Sequence, residues 1–253
     1  MSMGGTMPSA GFEHASRTHV GCRRSVNEDA VLECPAAGLW AVADGMGGHE
    51  AGDLASMTVV EALLECASKD KADLRQALMG LDLANARLAD LSHSKFGGRT
   101  IGSTVVGLIL DGTEFSCFWA GDSRAYRIRD GRIEQLTRDH SMVQDLVDAG
   151  MLSLEDANTH PNANIITRAV GVSDVLEVET LSGEILSGDT FLLASDGLTR
   201  LLGDEELLAE IDGNDLDQSA SRLLEIALER DAPDNVSLAI VRVMQIGSGH
   251  GSH

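Results

Sequence analysis

Two Asp-Gly pairs that lie beside strand-like runs constrain the fold more than any other feature of the sequence. The pair at 111–112 joins the apolar runs 103–110 and 114–121, and the pair at 130–131 follows the run 125–129. Asp-Gly between such runs is typical of a two-residue β-hairpin turn. The flanking strands are therefore predicted to pair in antiparallel fashion.

Further apolar runs predict more strands, and apolar residues spaced three or four apart predict helices between them. The additional strands are WAVAD (40–44), DTFLLAS (189–195) and VSLAIVRV (236–243), and the helices cover 50–68, 72–93 and 215–230. Hairpins with helices in separate blocks favour antiparallel sheets covered by helices over a doubly wound parallel sheet. The predicted fold class is α+β.

The 253 residues are predicted to form one domain between two tails. The ends are small, polar and Gly-rich, which predicts a disordered N-terminal tail over 1–15 and a disordered C-terminal tail over 247–253, around a domain at 16–246. No apolar run approaches the roughly 20 residues that span a bilayer, and the start does not resemble a signal peptide. We therefore expect a cytoplasmic protein.

The formal net charge of −21 limits the partners that the chain can bind. Such a surface repels nucleic acid and anionic lipid, so we expect neither nucleic acid nor membrane as a partner. It also repels phosphorylated substrates. A site that processes phosphate would need positive charge from metal ions or from a well-placed arginine.

Four aspartates stand where an apolar run meets its loop. They are Asp44, Asp122, Asp196 and Asp234. An Asp before Gly is most often only a turn residue, but helical patterns follow Asp44 and Asp196, so neither lies in a tight hairpin. Acidic side chains gathered at one sheet edge repel one another unless a cation neutralises them. Oxygen ligands of this kind favour Mg²⁺, Mn²⁺ or Ca²⁺ over zinc.

The segment RSVNED (24–29) offers a second candidate element. Arg24 either forms an ordinary surface salt bridge with the nearby acids or presents its planar guanidinium to a phosphate. In the second case, Glu28 and Asp29 would orient metal-bound waters.

Eight motifs then occur in order along residues 17 to 244. They are RSVNED (24–29), ADGMGGHEAGD (43–53), GST (102–104), AGDSRAY (120–126), LTRDHS (136–141), ITRAVG (166–171), GDTFLLASDGL (188–198) and DNVS (234–237). In this combination the chain resembles the bacterial branch of the protein phosphatase 2C family, the metal-dependent serine/threonine protein phosphatases.

The resemblance implies a four-layer α-β-β-α sandwich of two antiparallel sheets flanked by helices, with Mn²⁺ or Mg²⁺ at one end. By motif, Asp44 would bridge two ions, the Gly45 carbonyl would bind one of them, and Asp196 and Asp234 would hold the other. Asp29, with Glu28 nearby, would hold metal-bound water.

The resemblance also implies a third, weaker metal site at Asp122 and Asp196, and a phosphate-binding role for Arg24. The segment at about 141–164 matches a flap that borders the site. Many animal members have a His directly after the Asp-Gly pair, where this chain has Met46. His49 is the candidate general acid in its place, or else a structural residue of the loop.

The implied function is hydrolysis of phosphoserine and phosphothreonine in proteins by direct attack of a metal-bridging water. Such a hydrolase acts in signal transduction and opposes a bacterial Ser/Thr kinase, and nothing in the sequence demands more than a monomer. Three alternatives stay open: a phosphatase-like binding module, a hydrolase of small phosphorylated molecules, and an acidic structural protein that binds calcium.

Overall fold

The computed structural model describes residues 11–48, 50–67, 71–157 and 160–244. In chain order the elements are β1 (Phe12–His19), β2 (Asp29–Cys34), β3 (Leu39–Met46), α1 (Glu50–Cys66), α2 (Leu74–Lys95), β4 (Gly102–Ser103), β5 (Val105–Asp111), β6 (Glu114–Ala120), β7 (Arg124–Arg129), β8 (Arg132–Gln135), α3 (Met142–Asp148), α4 (Leu154–Ala157), β9 (Glu179–Glu184), β10 (Thr190–Ala194), α5 (Asp196–Thr199), α6 (Asp204–Ile211), α7 (Leu216–Glu229) and β11 (Val236–Val243).

Two antiparallel sheets form the centre of the molecule. One has the strand order β1-β11-β10-β7-β8, and the other has the order β2-β3-β5-β6-β9, with β4 paired to β3. One apolar core lies between the sheets and contains Trp40, Phe191 and Val241. Helices α1 and α2 cover one sheet, and α5, α6 and α7 cover the other. The α+β class and the four-layer sandwich are thus confirmed.

Both hairpins lie where the Asp-Gly pairs predict them. Asp111 pairs with Glu114 at the end of the β5–β6 ladder, and Arg129 pairs with Arg132 at the end of the β7–β8 ladder. Asp130 and Gly131 have φ angles of 52° and 68°. Positive φ at both central residues matches a type I′ turn, whose twist suits the flanking strands.

The predicted N-terminal tail is too long at its inner end. Strand β1 starts at Phe12, so residues 12–15 belong to a sheet and are not disordered. The Phe12 ring packs edge-on against Trp40 with centroids 5.5 Å apart, and Ala15 is buried. Burial of these apolar side chains, and pairing with β11, order a segment that is otherwise polar. Residues 1–10 and the predicted C-terminal tail at 247–253 lie outside the described residues.

The strand order brings the candidate acids to one edge of the sandwich. Asp29 begins β2 and lies opposite Asp44 of β3. Asp196 follows β10, and Asp234 precedes β11, which pairs with β10. None of the described helices is long and apolar enough to cross a membrane.

Candidate metal centre

The backbone around Asp44 is held by the neighbouring strands. The amide of Asp44 donates to Thr104 Oγ1 at 3.2 Å, and its carbonyl accepts from the Thr104 amide at 2.8 Å and from Ser103 Oγ at 3.0 Å. The GST motif therefore fixes the end of β3, and with it the direction of the Asp44 carboxyl group.

Gly45 lies where three chain segments meet. Its amide donates to the Glu28 carbonyl at 3.0 Å. A Cβ at Gly45 would collide with the backbone carbonyl of Gly52 and would press on that of Glu28. Only glycine allows this approach, which brings the RSVNED segment, the end of β3 and the start of α1 together.

Asn235 ties the same loop to strand β11. Its side-chain oxygen accepts from the Glu28 amide at 2.8 Å, and its Nδ2 donates to the carbonyls of Val20 and Val26 at 2.9 and 3.0 Å. The Asn235 amide in turn donates to Asp234 Oδ1 at 2.9 Å. The buried Asn235 side chain thus positions Asp234 beside the Arg24–Asp29 segment.

Asp29 is buried with little compensation for a negative charge. The Ser195 hydroxyl donates to Asp29 Oδ2 at 3.0 Å, whereas Oδ1 has no hydrogen-bond partner among the described residues. Burial, with Asp196 and Asp234 adding repulsion, raises the pKa of Asp29 to about 7.

Asp44 and Asp196 share this environment. Burial, followed by repulsion from Asp29, Asp196 and Asp122, raises the pKa of Asp44 well above its usual range. Burial also raises the pKa of Asp196, and repulsion from Asp234 adds to the rise while Arg200 opposes it. A bound cation would offset the repulsion among these acids and stabilise them as carboxylates.

Two arginines supply positive charge at the rim. Arg24 Nη2 donates to Asp234 Oδ2 at 2.7 Å, and the half-exposed Arg24 side chain borders a cavity of about 100 Å³ that Ser25 and Glu28 also line. Arg200 Nη2 lies 3.0 Å from both Asp122 Oδ2 and Asp196 Oδ2. Burial raises the pKa of Asp122 to about 7, and Asp196 adds to the rise while Arg200 opposes it.

The residues fit a hard divalent ion by their chemistry. In the described part of the chain, no three His, Cys, Asp or Glu side chains are yet arranged closely enough to hold one. Arg24 contacts Asp234, and Arg200 contacts Asp122 and Asp196. The unpartnered buried oxygens of Asp29 and Asp196, together with the all-oxygen donor set, match Mg²⁺ or Mn²⁺.

The predicted site residues therefore come together, with one exception that the structure does not describe. Arg24, Glu28, Asp29, Asp44 and Gly45 gather beside the acids at 122, 196 and 234, while His49 lies outside the described residues. Three contributors were missed from the sequence: Asn235, Ser195 and Arg200. The first two stand inside recognised motifs, so their position beside Asp234 and Asp196 was an available signal.

Comparisons with known proteins relate this chain to protein phosphatases. A family model described as Protein phosphatase 2C matches residues 18–237. The serine/threonine protein phosphatase PstP of Mycobacterium tuberculosis is 35% identical over 242 residues, which are 94% of this chain and 46% of that protein. The chain thus spans about half the length of that relative.

Two solved structures are similar over almost their whole length. PppA, a key regulatory component of T6SS in Pseudomonas aeruginosa, is 42% identical with a TM-score of 0.84, and the match covers 92% of this chain and 98% of that one. The catalytic domain of PstP in complex with two manganese ions is 34% identical with a TM-score of 0.84, covering 92% and 99%.

Proposed function

This chain belongs to the protein phosphatase 2C family, and we propose that it is a metal-dependent serine/threonine protein phosphatase. The observation that carries the proposal is the group of acids at one sheet edge, the buried Asp29 and the partly buried Asp44 and Asp196, whose pKa values are all raised. Acids whose pKa values are raised by burial and by one another are typical of functional sites. The half-exposed Arg24 beside them suits a phosphoryl group.

The proposed ligand roles are those that the family resemblance implies. Asp44, the Gly45 carbonyl, Asp196 and Asp234 would hold two Mn²⁺ or Mg²⁺ ions. Asp44 would be shared between the ions, Gly45 would bind one of them, and Asp196 and Asp234 would hold the other. Asp29 and Glu28 would hold metal-bound water, on a segment whose backbone is fixed through Asn235 and Gly45.

Catalysis by this arrangement is hydrolysis of a phosphate monoester by direct attack of water. Two divalent ions supply the positive charge that activates water and offsets the charge of the phosphoryl group. Arg24 leaves Asp234 and donates through its planar fork to phosphoryl oxygens, which matches a bidentate phosphate contact. The −21 surface makes this local positive charge necessary for an anionic substrate.

The proposal extends to the surroundings of the enzyme. Its substrates are phosphorylated proteins, and it reverses a cognate Ser/Thr kinase in bacterial signal transduction. It acts in the cytoplasm as a monomer. The segment at about 141–164, with helices α3 and α4, forms the flap that borders the site and contributes to substrate choice.

The test is hydrolysis of a phosphothreonine peptide with Mn²⁺, with Mg²⁺ and with EDTA, by the wild type and by Asp44→Ala and Asp196→Ala. We expect turnover that requires metal and collapses in both variants. Asp82→Ala, an exposed aspartate on α2, serves as the matched control. Metal-independent turnover would disprove the mechanism. A clear preference for a small phosphate ester in direct competition would reassign the substrate class.

A further inference from the structure

Arg200 contacts the acidic edge and the flap at the same time. Its Nη2 lies 3.0 Å from Asp122 Oδ2 and 3.0 Å from Asp196 Oδ2. The same nitrogen donates to the Ala163 carbonyl at 3.4 Å, and Nη1 donates to Asn164 Oδ1. One guanidinium therefore joins the buried Asp122 and the partly buried Asp196 to the C-terminal end of the flap segment.

Local geometry places Arg200 there. Arg200 directly follows the short helix α5, and its amide donates to the Asp196 carbonyl at 3.0 Å. Residues four apart on a helical turn lie on one face, so the Arg200 side chain returns over Asp196. Asp122, whose side chain is 5% exposed, lies just after β6 and contacts the same Nη2 nitrogen.

The position that Arg200 occupies is the one that a third divalent ion would need. Asp122 and Asp196 are the acids that the family resemblance assigns to that ion. A guanidinium within hydrogen-bonding distance of both oxygens neutralises them and repels a second cation at the same place. An ion could bind there only after the arginine had moved.

The flap contact adds a structural consequence. Beside Arg200 lies a cavity of about 280 Å³, which Asp122, Arg124, Ala163 and Leu202 help to line. The flap segment is further held by the Met142 amide, which donates to the Ile165 carbonyl at 2.9 Å. Release of Arg200 would remove the side-chain link between this part of the flap and the acids.

We propose that Arg200 is a built-in cation that takes the place of a third divalent ion between Asp122 and Asp196, and that it positions the flap against the metal centre. The inference rests on the proposed function, because the flap matters only beside a two-metal site. On this proposal the enzyme binds two ions, and the positive charge of a third ion is supplied by Arg200.

The first test counts the ions bound by the 253-residue chain and needs no activity measurement. Metal-free wild type, Arg200→Gln and Arg200→Lys are titrated with Mn²⁺ by isothermal titration calorimetry, and bound manganese is checked by equilibrium dialysis. We expect two ions in the wild type and a third in Arg200→Gln, bound at least about tenfold more tightly than any third ion in the wild type, because the repulsion is gone. Arg200→Lys keeps the charge and should still bind two.

The second test follows the flap by hydrogen exchange in EDTA. The amides of Ala163 and Ile165, which bond to His160 and Asn162, report on the segment. Exchange there should be about tenfold faster in Arg200→Gln, which loses charge-assisted hydrogen bonds. It should also be faster in Arg200→Lys, because an ammonium group cannot reproduce the planar fork.

Arg222→Gln is the matched control, since Arg222 also contacts two carboxylates, Glu225 and Glu229, but on the exposed face of α7. It should behave as the wild type in both measurements. Three ions in the wild type, or unchanged ion number and exchange in Arg200→Gln, would overturn the inference while leaving the two-metal phosphatase intact. A wild type that binds no Mn²⁺ would overturn both proposals.

Discussion

Strand β10 has an aspartate near each end, and the two are treated in opposite ways. Asp189, 1% exposed, receives both nitrogens of the Arg129 fork, at 2.6 Å to Oδ1 and 2.5 Å to Oδ2, and the Leu186 amide at 2.8 Å. Asp196, at the other end, keeps one buried oxygen without a hydrogen-bond partner among the described residues.

The comparison of Asp189 with Asp196 distinguishes an acid that stabilises the fold from an acid that is available to a ligand. A buried carboxylate with a full set of donors contributes to the fold and has no capacity left for a ligand. Asp196 has Arg200 at one oxygen but lies among other acids, so its surroundings still favour the binding of a further cation. The free energy that the metal-free fold gives up at the Asp196 end is recovered when ions bind there.

The largest expected contrast is between neutral substitutions at the two ends. Asp196→Asn should lower kcat/KM for a phosphothreonine peptide by about a thousandfold, because metal ligation supplies several kcal/mol of the barrier reduction. Asp189→Asn should leave kcat/KM near the wild-type value and lower stability instead. Steady-state kinetics and urea unfolding of both variants would show it. Equal loss of activity in both would remove the distinction.

A second contrast concerns Arg129, the arginine that pairs with Asp189. Arg129→Ala leaves the buried Asp189 without its ion pair, which should lower the free energy of unfolding by about 3 kcal/mol. Urea denaturation of the metal-free protein measures this. Arg132→Ala, an exposed arginine of the same hairpin, should change stability by less than about 0.5 kcal/mol. Similar effects of the two substitutions would contradict the structural role of the pair.

The third prediction is that the stability of the metal-free protein depends on pH through the acids of the candidate site. Because the pKa values of Asp29 and Asp122 are raised to about 7, the folded state binds more protons than the unfolded state between about pH 4 and 7. Stability in EDTA should therefore fall as pH rises through this range, by at most about 1.4 kcal/mol per pH unit for each carboxyl, and level off above it.

Urea unfolding in EDTA at pH 5, 6, 7 and 8 tests the slope. General repulsion in a chain of charge −21 has the same sign, so the informative comparison is with Asp29→Asn. That variant should show a smaller slope than the wild type. Identical slopes would mean that Asp29 does not take up the proton.

The smallest expected effect lies at Ser195, next to Asp196. Its hydroxyl donates to Asp29 Oδ2 and accepts from the Ser237 amide, both at 3.0 Å. Ser195→Ala should lower the free energy of unfolding by about 1–2 kcal/mol, because it leaves buried polar groups without partners. Ser56→Ala removes a buried hydroxyl that donates to the Asp53 carbonyl within α1, and it should cost less. Thermal unfolding of both variants in EDTA decides the order.

Strong local patterns made most of the sandwich predictable. The hairpin signals at 111–112 and 130–131 predicted two strand pairs, and the long apolar runs predicted β3, β10 and β11. Strand β1 was missed because FEHASRTH has little apolar character of its own and is ordered by its partner β11. Such an edge strand depends on tertiary contacts that propensity does not contain.

The part of the candidate site that lies within sequence motifs was predictable. Asp44, Asp196 and Asp234 were identified by their position at strand ends, and the structure brings them together. Arg200 was not identified from the sequence, because LTRLL indicates only part of a helical pattern. Its role depends on Asp122, 78 residues away, which the fold alone brings within reach.

The pairing of β1 with β11 also determines how the molecule would respond to a mechanical load. Phe12 lies opposite Val243, and His19 lies opposite Val236, so the outer ends of both strands are at one end of the ladder. A force that separates Phe12 from Val243 opens hydrogen bonds one rung at a time, because it acts along them and not across the whole set. The pair at Val236, two residues from Asp234, opens last. The end of the β1–β11 ladder beside the acidic edge is therefore the part best protected from tension.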